Sequence, residues 1–119
     1  MKLHESGENY LETILVLEKK NKFVRSIDIA NELNYSKPSV SRAMKLLKEN
    51  NYIEIDVDGH IHLSEEGRLK AESIYERHTT ITRFLQSIGV SEEQAEIDAC
   101  KIEHIISDET HQCIKNSLK

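Results

Sequence analysis

Apolar residues recur at helical spacing from the start of the chain. Tyr10, Ile14 and Leu17 form one stripe, broadened by Leu11 and Leu15, and predict a helix over residues 6 to 20 with Ser6 as its cap. A shorter helix follows over residues 26 to 33, with Ser26 as cap and Ile27, Ala30 and Leu33 facing inward. Asn34-Tyr35 makes a turn. Ser36 then caps a third helix running from Lys37 to about Lys48, with Pro38 tolerated in its first turn. Val40, Ala43, Met44 and Leu47 make its buried stripe; Ser41, Arg42, Lys45 and Lys48 point the other way. The period next changes to two. Tyr52 to Asp56 and His60 to Leu63 alternate on either side of Asp58-Gly59, a strong tight-turn signal. Helical spacing then returns. Ser64 caps a helix whose stripe is Ile74, His78, Ile81, Leu85 and Ile88, and Gly89 ends it. Ser91 starts another with Ala95, Ala99, Ile102 and Ile106 inward, and Ser107-Asp108-Glu109 opens a last one through about Leu118.

This order predicts a mainly α fold with a small β-hairpin: a winged helix-turn-helix over residues 1–63, followed by a helical region over residues 64–119. A third helix of this kind enters the major groove of double-stranded DNA. Ser36, Lys37, Pro38 and Ser39 open it, and Arg42 is the candidate for a bidentate contact to guanine. Lys45 and Lys48 suit phosphates. The wing carries Asp56 and Asp58 at its tip, so little groove insertion is expected of it.

Charge sharpens this picture. The net charge of −5 does not by itself point to nucleic acid, but residues 36–48 hold four bases and no acid. Residues 64–119 hold seven bases and eleven acids. A DNA-facing front and a metal- or partner-facing back fit that asymmetry. No apolar run approaches the roughly 18 residues of a membrane span and no signal-peptide pattern opens the chain, so a cytoplasmic protein without membrane contact is expected. Cys100 and Cys113, the only cysteines, read as free thiols, Cys113 packing as a small apolar side chain.

Cys100, Glu103 and His104 stand at i, i+3 and i+4, so a helix would bring a thiol, a carboxylate and an imidazole to one face. Glu96 falls within the same arc of about 100°. Soft, hard and borderline donors together suit a divalent transition metal. His78, on an otherwise aliphatic stripe, is either a hydrogen-bonded core histidine or a further ligand. Asn9 and Glu12 share one face of the first helix, where they are either solvated or oxygen ligands. His4, His60, His62 and His111 read as surface residues. No Gly-rich phosphate loop accompanies the cluster, so an enzyme is not expected.

The stretches Glu8-Asn9-Tyr10-Leu11-Glu12-Thr13-Ile14, Ser36-Lys37-Pro38-Ser39-Val40-Ser41, Leu63-Ser64-Glu65-Glu66-Gly67, Arg77-His78, Ala99-Cys100-Lys101-Ile102-Glu103-His104 and Ser107-Asp108-Glu109 give the chain a resemblance. It resembles the diphtheria toxin repressor family of metal-dependent regulators, in the short form without an SH3-like domain. The resemblance implies a homodimer that represses metal-homeostasis genes by binding operator DNA when loaded with Fe²⁺ or Mn²⁺, with Co²⁺ or Zn²⁺ as surrogates. It implies His78, Glu103 and His104 as ligands common to both branches. Cys100 matches the iron type, and Glu12 the manganese type. Asn9 stands where the iron type has methionine and the manganese type aspartate. Glu96 stands where the iron type has a second-site histidine, and Thr82 replaces a glutamate of that site. A thiolate suits Fe²⁺ better than Mn²⁺, which favours iron; Glu12 and Asn9 lean back toward manganese. The alternative is a metal-independent winged-helix regulator, in which Cys100→Ala and His104→Ala leave DNA affinity intact.

Overall fold

A computed structural model describes residues 5–119, with side chains from Ser6 onward; His4 lies outside the described residues. The elements are α1 (Glu5–Lys20), α2 (Ser26–Leu33), α3 (Lys37–Glu49), β1 (Ile53–Ile55), β2 (Ile61–Leu63), α4 (Glu65–Ser87), α5 (Glu92–Ile102) and α6 (Asp108–Ser117). They form two compact units, one up to Glu72 and the other from Ser73 to Lys119. The division falls inside α4, whose first two turns belong with the N-terminal unit. Among the described residues, no helix is long and apolar enough to cross a membrane.

In the N-terminal unit, α1 contributes Leu11, Ile14, Leu15 and Leu17 to the core, and α3 contributes Val40, Met44 and Leu47. Ile53 and Ile61 of the hairpin cover the same core. Each such side chain contributes roughly 1.5–3 kcal/mol through burial. Two caps differ from expectation. α1 is already helical at Ser6, which therefore lies within its first turn. The cap of α2 is Arg25, whose backbone N–H donates to Asp28 Oδ2 at 2.8 Å, making Ser26 the first helical residue. The inward stripe of α2 is correspondingly Ile29 and Ala30. Ile27, about 160° round the helix from Ile29, is 37% exposed.

Asn34 ends α2 in the left-handed conformation, φ 58°, and the Tyr35 N–H closes back on Ala30 O at 3.0 Å. Ser36 Oγ accepts the Ser39 N–H at 3.3 Å and so caps α3. In the antiparallel hairpin Glu54 stands opposite His62, and Ile55 opposite Ile61. The Ile61 N–H donates to Val24 O at 2.7 Å, which lays the segment before α2 along β2. Ser64 Oγ donates to Asn51 O at 2.7 Å and accepts the Gly67 N–H at 3.0 Å. This seats Gly67 against the hairpin so closely that a Cβ there would lie 1.9 Å from Tyr52 O. Arg68–Glu18 (3.0 Å) and Lys70–Glu8 (3.2 Å) tie the first turns of α4 to α1.

In the second unit, Ile74 and Ile81 of α4 and Ala95 and Ala99 of α5 are buried. The α4 stripe ends earlier than expected: Ile88 is 64% exposed, because the helix stops at Ser87 and Gly89 turns the chain at φ 104°. Ser91 and Ser107 cap α5 and α6, each accepting the N–H three residues on. No residue of α6 is buried, and Cys113 is exposed rather than packed.

Candidate metal centre and nucleic-acid interface

The ligand-type cluster straddles a helix end. α5 stops at Ile102, and Glu103 keeps helical angles as its cap, with its N–H on Ala99 O at 2.9 Å. Cys100 and Glu103 thus retain their i, i+3 relation, while His104 sits in the following turn rather than on the helix. Arg77 of α4 holds that turn in place. Its Nη1 donates to Glu103 O (3.2 Å) and Ile106 O (2.7 Å), and its Nη2 pairs with Asp108 at the start of α6. A planar guanidinium suits such convergent acceptors.

Glu103 is only 1% exposed. Its Oε2 meets His78 Nδ1 of α4 at 2.9 Å. Its Oε1 lies 3.3 Å from His104 Nε2, within ion-pair range, yet the alignment is not that of a hydrogen bond and no donor reaches Oε1. A buried carboxylate oxygen without a donor is costly unless a positive charge compensates it. Two imidazoles flank the carboxylate, and half-buried Cys100 lies one turn earlier on α5. These donor types fit a divalent transition metal. Of the other expected ligands, Glu96 is exposed on α5, while Asn9 and Glu12 lie on α1 in the N-terminal unit. Thr82 donates to the backbone His78 O at 2.7 Å, the i−4 closure that helical threonines commonly make.

On the N-terminal unit, Ser36, Lys37, Pro38, Ser41, Arg42, Lys45 and Lys48 are exposed on α3 and Ser39 is half-buried. Ser39 Oγ accepts from Ser36 Oγ (2.8 Å) and Arg42 Nη2 (3.4 Å), which orders the helix start. Beside it, Ser26, Ile27, Lys37 and Ser41 line a hollow of about 250 Å³, so exposed Ile27 belongs to this outer face.

The hairpin is clasped rather than merely turned. Asp56 Oδ1 accepts the N–H groups of Asp58 and His60, each at 2.9 Å. Its Oδ2 lies 3.0 Å from His62 Nε2 and 3.5 Å from His60 Nδ1. The His62 hydrogen bond, followed by the His60 backbone N–H, draws the Asp56 carboxyl down to about 2. Against expectation, the His60 side chain is only 12% exposed; its ring stacks on Phe23 with centroids 4.2 Å apart. Arg25 Nη2 lies 3.1 Å from His60 Nε2. Since a guanidinium only donates, Nε2 accepts and the imidazole proton sits on Nδ1, toward Asp56. Asp56, Asp58 and His60 are close enough to share a cation, and the hydrogen bonds from the Asp58 and His60 N–H groups to Asp56 clasp the turn. His111 is half-buried, with Nε2 enclosed and lacking a hydrogen-bond partner, not a surface residue.

Two contributions escaped the sequence reading. Arg77 stood out only as the neighbour of His78; its three acceptors come from 26 to 31 residues away. Residues 19–25 carry Lys19, Lys20, Lys22 and Arg25 with no acid, a second basic run that a charge count would have found.

Comparison with known proteins brings the two units together. Residues 2–61 match the model of the iron dependent repressor N-terminal DNA binding domain, and residues 64–119 that of the iron dependent repressor metal binding and dimerisation domain. An HTH-type transcriptional regulator of Methanocaldococcus jannaschii is 33% identical over 115 residues, 95% of this chain and 92% of its own length. The iron-dependent repressor IdeR of Mycobacterium tuberculosis is 30% identical over 92% of this chain, which spans 48% of that protein. The regulator MntR of Escherichia coli O157:H7 is 35% identical over 87% of this chain and 66% of its own length. Among solved structures, the manganese regulator SloR is similar with a TM-score of 0.84 at 25% identity, over 99% of this chain and 54% of its own. IdeR of T. acidophilum is similar at 0.78 and 26% identity, over 99% and 55%.

Proposed function

The chain belongs to the iron-dependent repressor family, and from that premise we propose that it is a metal-dependent transcriptional repressor, binding operator DNA as a homodimer when loaded with Fe²⁺ or Mn²⁺. The observation that carries the metal half is Glu103: a buried carboxylate between two imidazoles, with Oε1 lacking a donor. A bound divalent ion would supply the missing positive charge. His78, Cys100, Glu103 and His104 would hold it, with Glu12, Asn9 and Glu96 as the further ligands the family resemblance implies.

The chain's own residues account for the rest. Arg77 keeps the Glu103–Ile106 turn closed, so Glu103 and His104 stay fixed against α4. α3 presents Lys37, Arg42 and Lys45 to the groove, with Ser36, Pro38 and Ser39 shaping its first turn. Ile97 and Ile105 of the second unit are exposed and so available to a contact with a second copy. Thiolate at Cys100 favours Fe²⁺ over Mn²⁺.

The test is DNA selection from a random duplex library under anaerobic conditions, followed by binding titrations in chelator, Fe²⁺, Mn²⁺, Co²⁺ and Zn²⁺. Metal-dependent affinity that is lost in His104→Ala is expected. Equal affinity in chelator and metal would establish instead the metal-independent winged-helix regulator.

A further inference from the structure

A cavity of about 420 Å³ opens on the second unit, its wall built from α4 and α6 and away from the Glu103 cluster's own side chains. It is lined by Glu76, Thr80, Arg83, Lys115 and Lys119, among others. Its volume falls in the range of small-ligand sites.

The charge there runs against its surroundings. From Ser73 onward the chain has five bases and eight acids. Three of the five bases line this one cavity, and only one of the eight acids does. That acid, Glu76, is already held by Lys115 Nζ across the two helices. Arg83 and Lys119 are exposed, with no acid paired to them among the described residues.

Thr80 adds an independent sign. It is 7% exposed and reaches the cavity wall, yet its hydroxyl has no hydrogen-bond partner among the described residues. Its neighbours behave differently: Thr79 donates to Tyr75 O at 3.0 Å and Thr82 to His78 O at 2.7 Å. Threonines in helices ordinarily close onto the carbonyl four residues back. Thr80 alone of the three shows no such closure, and it lines the cationic cavity.

We propose that this cavity is a binding site for a small phosphoryl-type oxyanion, free or carried on a metabolite, held by Arg83, Lys115 and Lys119 with the Thr80 hydroxyl at its base. A guanidinium, two ammonium groups and a hydroxyl offer donors in several directions, which suits the three terminal oxygens of a phosphoryl group. A ligand held by both Arg83 of α4 and Lys119 beyond α6 would bridge the two helices and stabilise the unit increasingly as its concentration rises above its Kd.

The test uses the full chain, freed of metal, titrated with inorganic phosphate, with glycerol phosphate, and with sodium chloride at matched ionic strength. Backbone amide resonances report the site. Saturable shifts at residues 76–83 and 115–119 are expected for one or both phosphates, with the tighter arm naming the source, and only a weak linear drift in chloride. Arg83→Gln should weaken binding about tenfold, the equivalent of one charge-assisted hydrogen bond. Thr80→Val, which keeps the side-chain shape, should weaken it with the fold intact. His104→Ala should leave phosphate binding unchanged, so the result is separable from metal loading. Shifts that follow ionic strength alone, that are identical in Arg83→Gln, or that appear only on α3 would overturn the proposal.

Discussion

At the scale of single residues, the properties of Glu103 follow from where its charge sits. A carboxylate 1% exposed, with one oxygen on His78 and the other without a donor, lowers the stability of the metal-free chain. Glu103→Gln removes that charge at nearly constant volume. The metal-free variant is therefore expected to melt at the same temperature or higher, by up to about 2 kcal/mol in stability, while losing the rise in melting temperature on metal addition. Paired thermal melts with and without Mn²⁺ check both halves; a metal response equal to that of the parent would remove Glu103 from the ligand set. As a proposed ligand, Cys100 would set selectivity in the same way. Exchanging its sulfur for oxygen in Cys100→Glu should move the midpoint of DNA binding to lower Mn²⁺ and higher Co²⁺ concentration, read from parallel titrations.

At the scale of elements, the N-terminal unit depends on the packing of the hairpin against the start of α4. Gly67→Ala puts a methyl group into Tyr52 O, so the backbone must shift. A loss of about 1–3 kcal/mol is expected in denaturant unfolding. The hairpin clasp has a defined pH window. The Asp56 carboxyl is held at about 2 when folded, chiefly by His62, against about 4 in an unfolded chain. A depressed carboxylate adds stability that is fully present above its unfolded value and is lost as pH falls through its folded value. The turn at residues 56–60 should therefore open between about pH 4 and pH 2, seen as faster amide exchange at Asp58 and His60. Asp56→Asn should flatten that dependence; an unchanged profile would mean another group sets it.

At the scale of the whole molecule, the proposed operator binding by exposed cations predicts a steep fall of affinity with salt. Lys45→Ala should weaken binding to every sequence alike and reduce the logarithmic salt slope by about one, the share of a single neutralised phosphate, whereas Arg42→Ala should also relax base preference. Much of this architecture was legible beforehand. Periodicity, caps and the Asp58-Gly59 turn are local, and Ser36, Ser91 and Ser107 cap their helices as expected. The sequence by itself determined the order of elements, the basic outer face of α3 and the donor types gathered near residue 100, because each depends on neighbours within a few positions. Only the tertiary structure decided which equally apolar residue is buried, as in Ile29 over Ile27. It also decided that α5 ends before His104 and that Arg77 latches the turn beyond it. The exposure of Ile88 and Cys113 and the enclosure of His60 behind Phe23 were likewise settled there. Those outcomes rest on interactions between residues far apart in the chain, and neither helical nor strand period carries that information. Glu103 joins the two levels: its identity and spacing are local, but its burial and its oxygen without a donor exist only once α4 and α5 have packed.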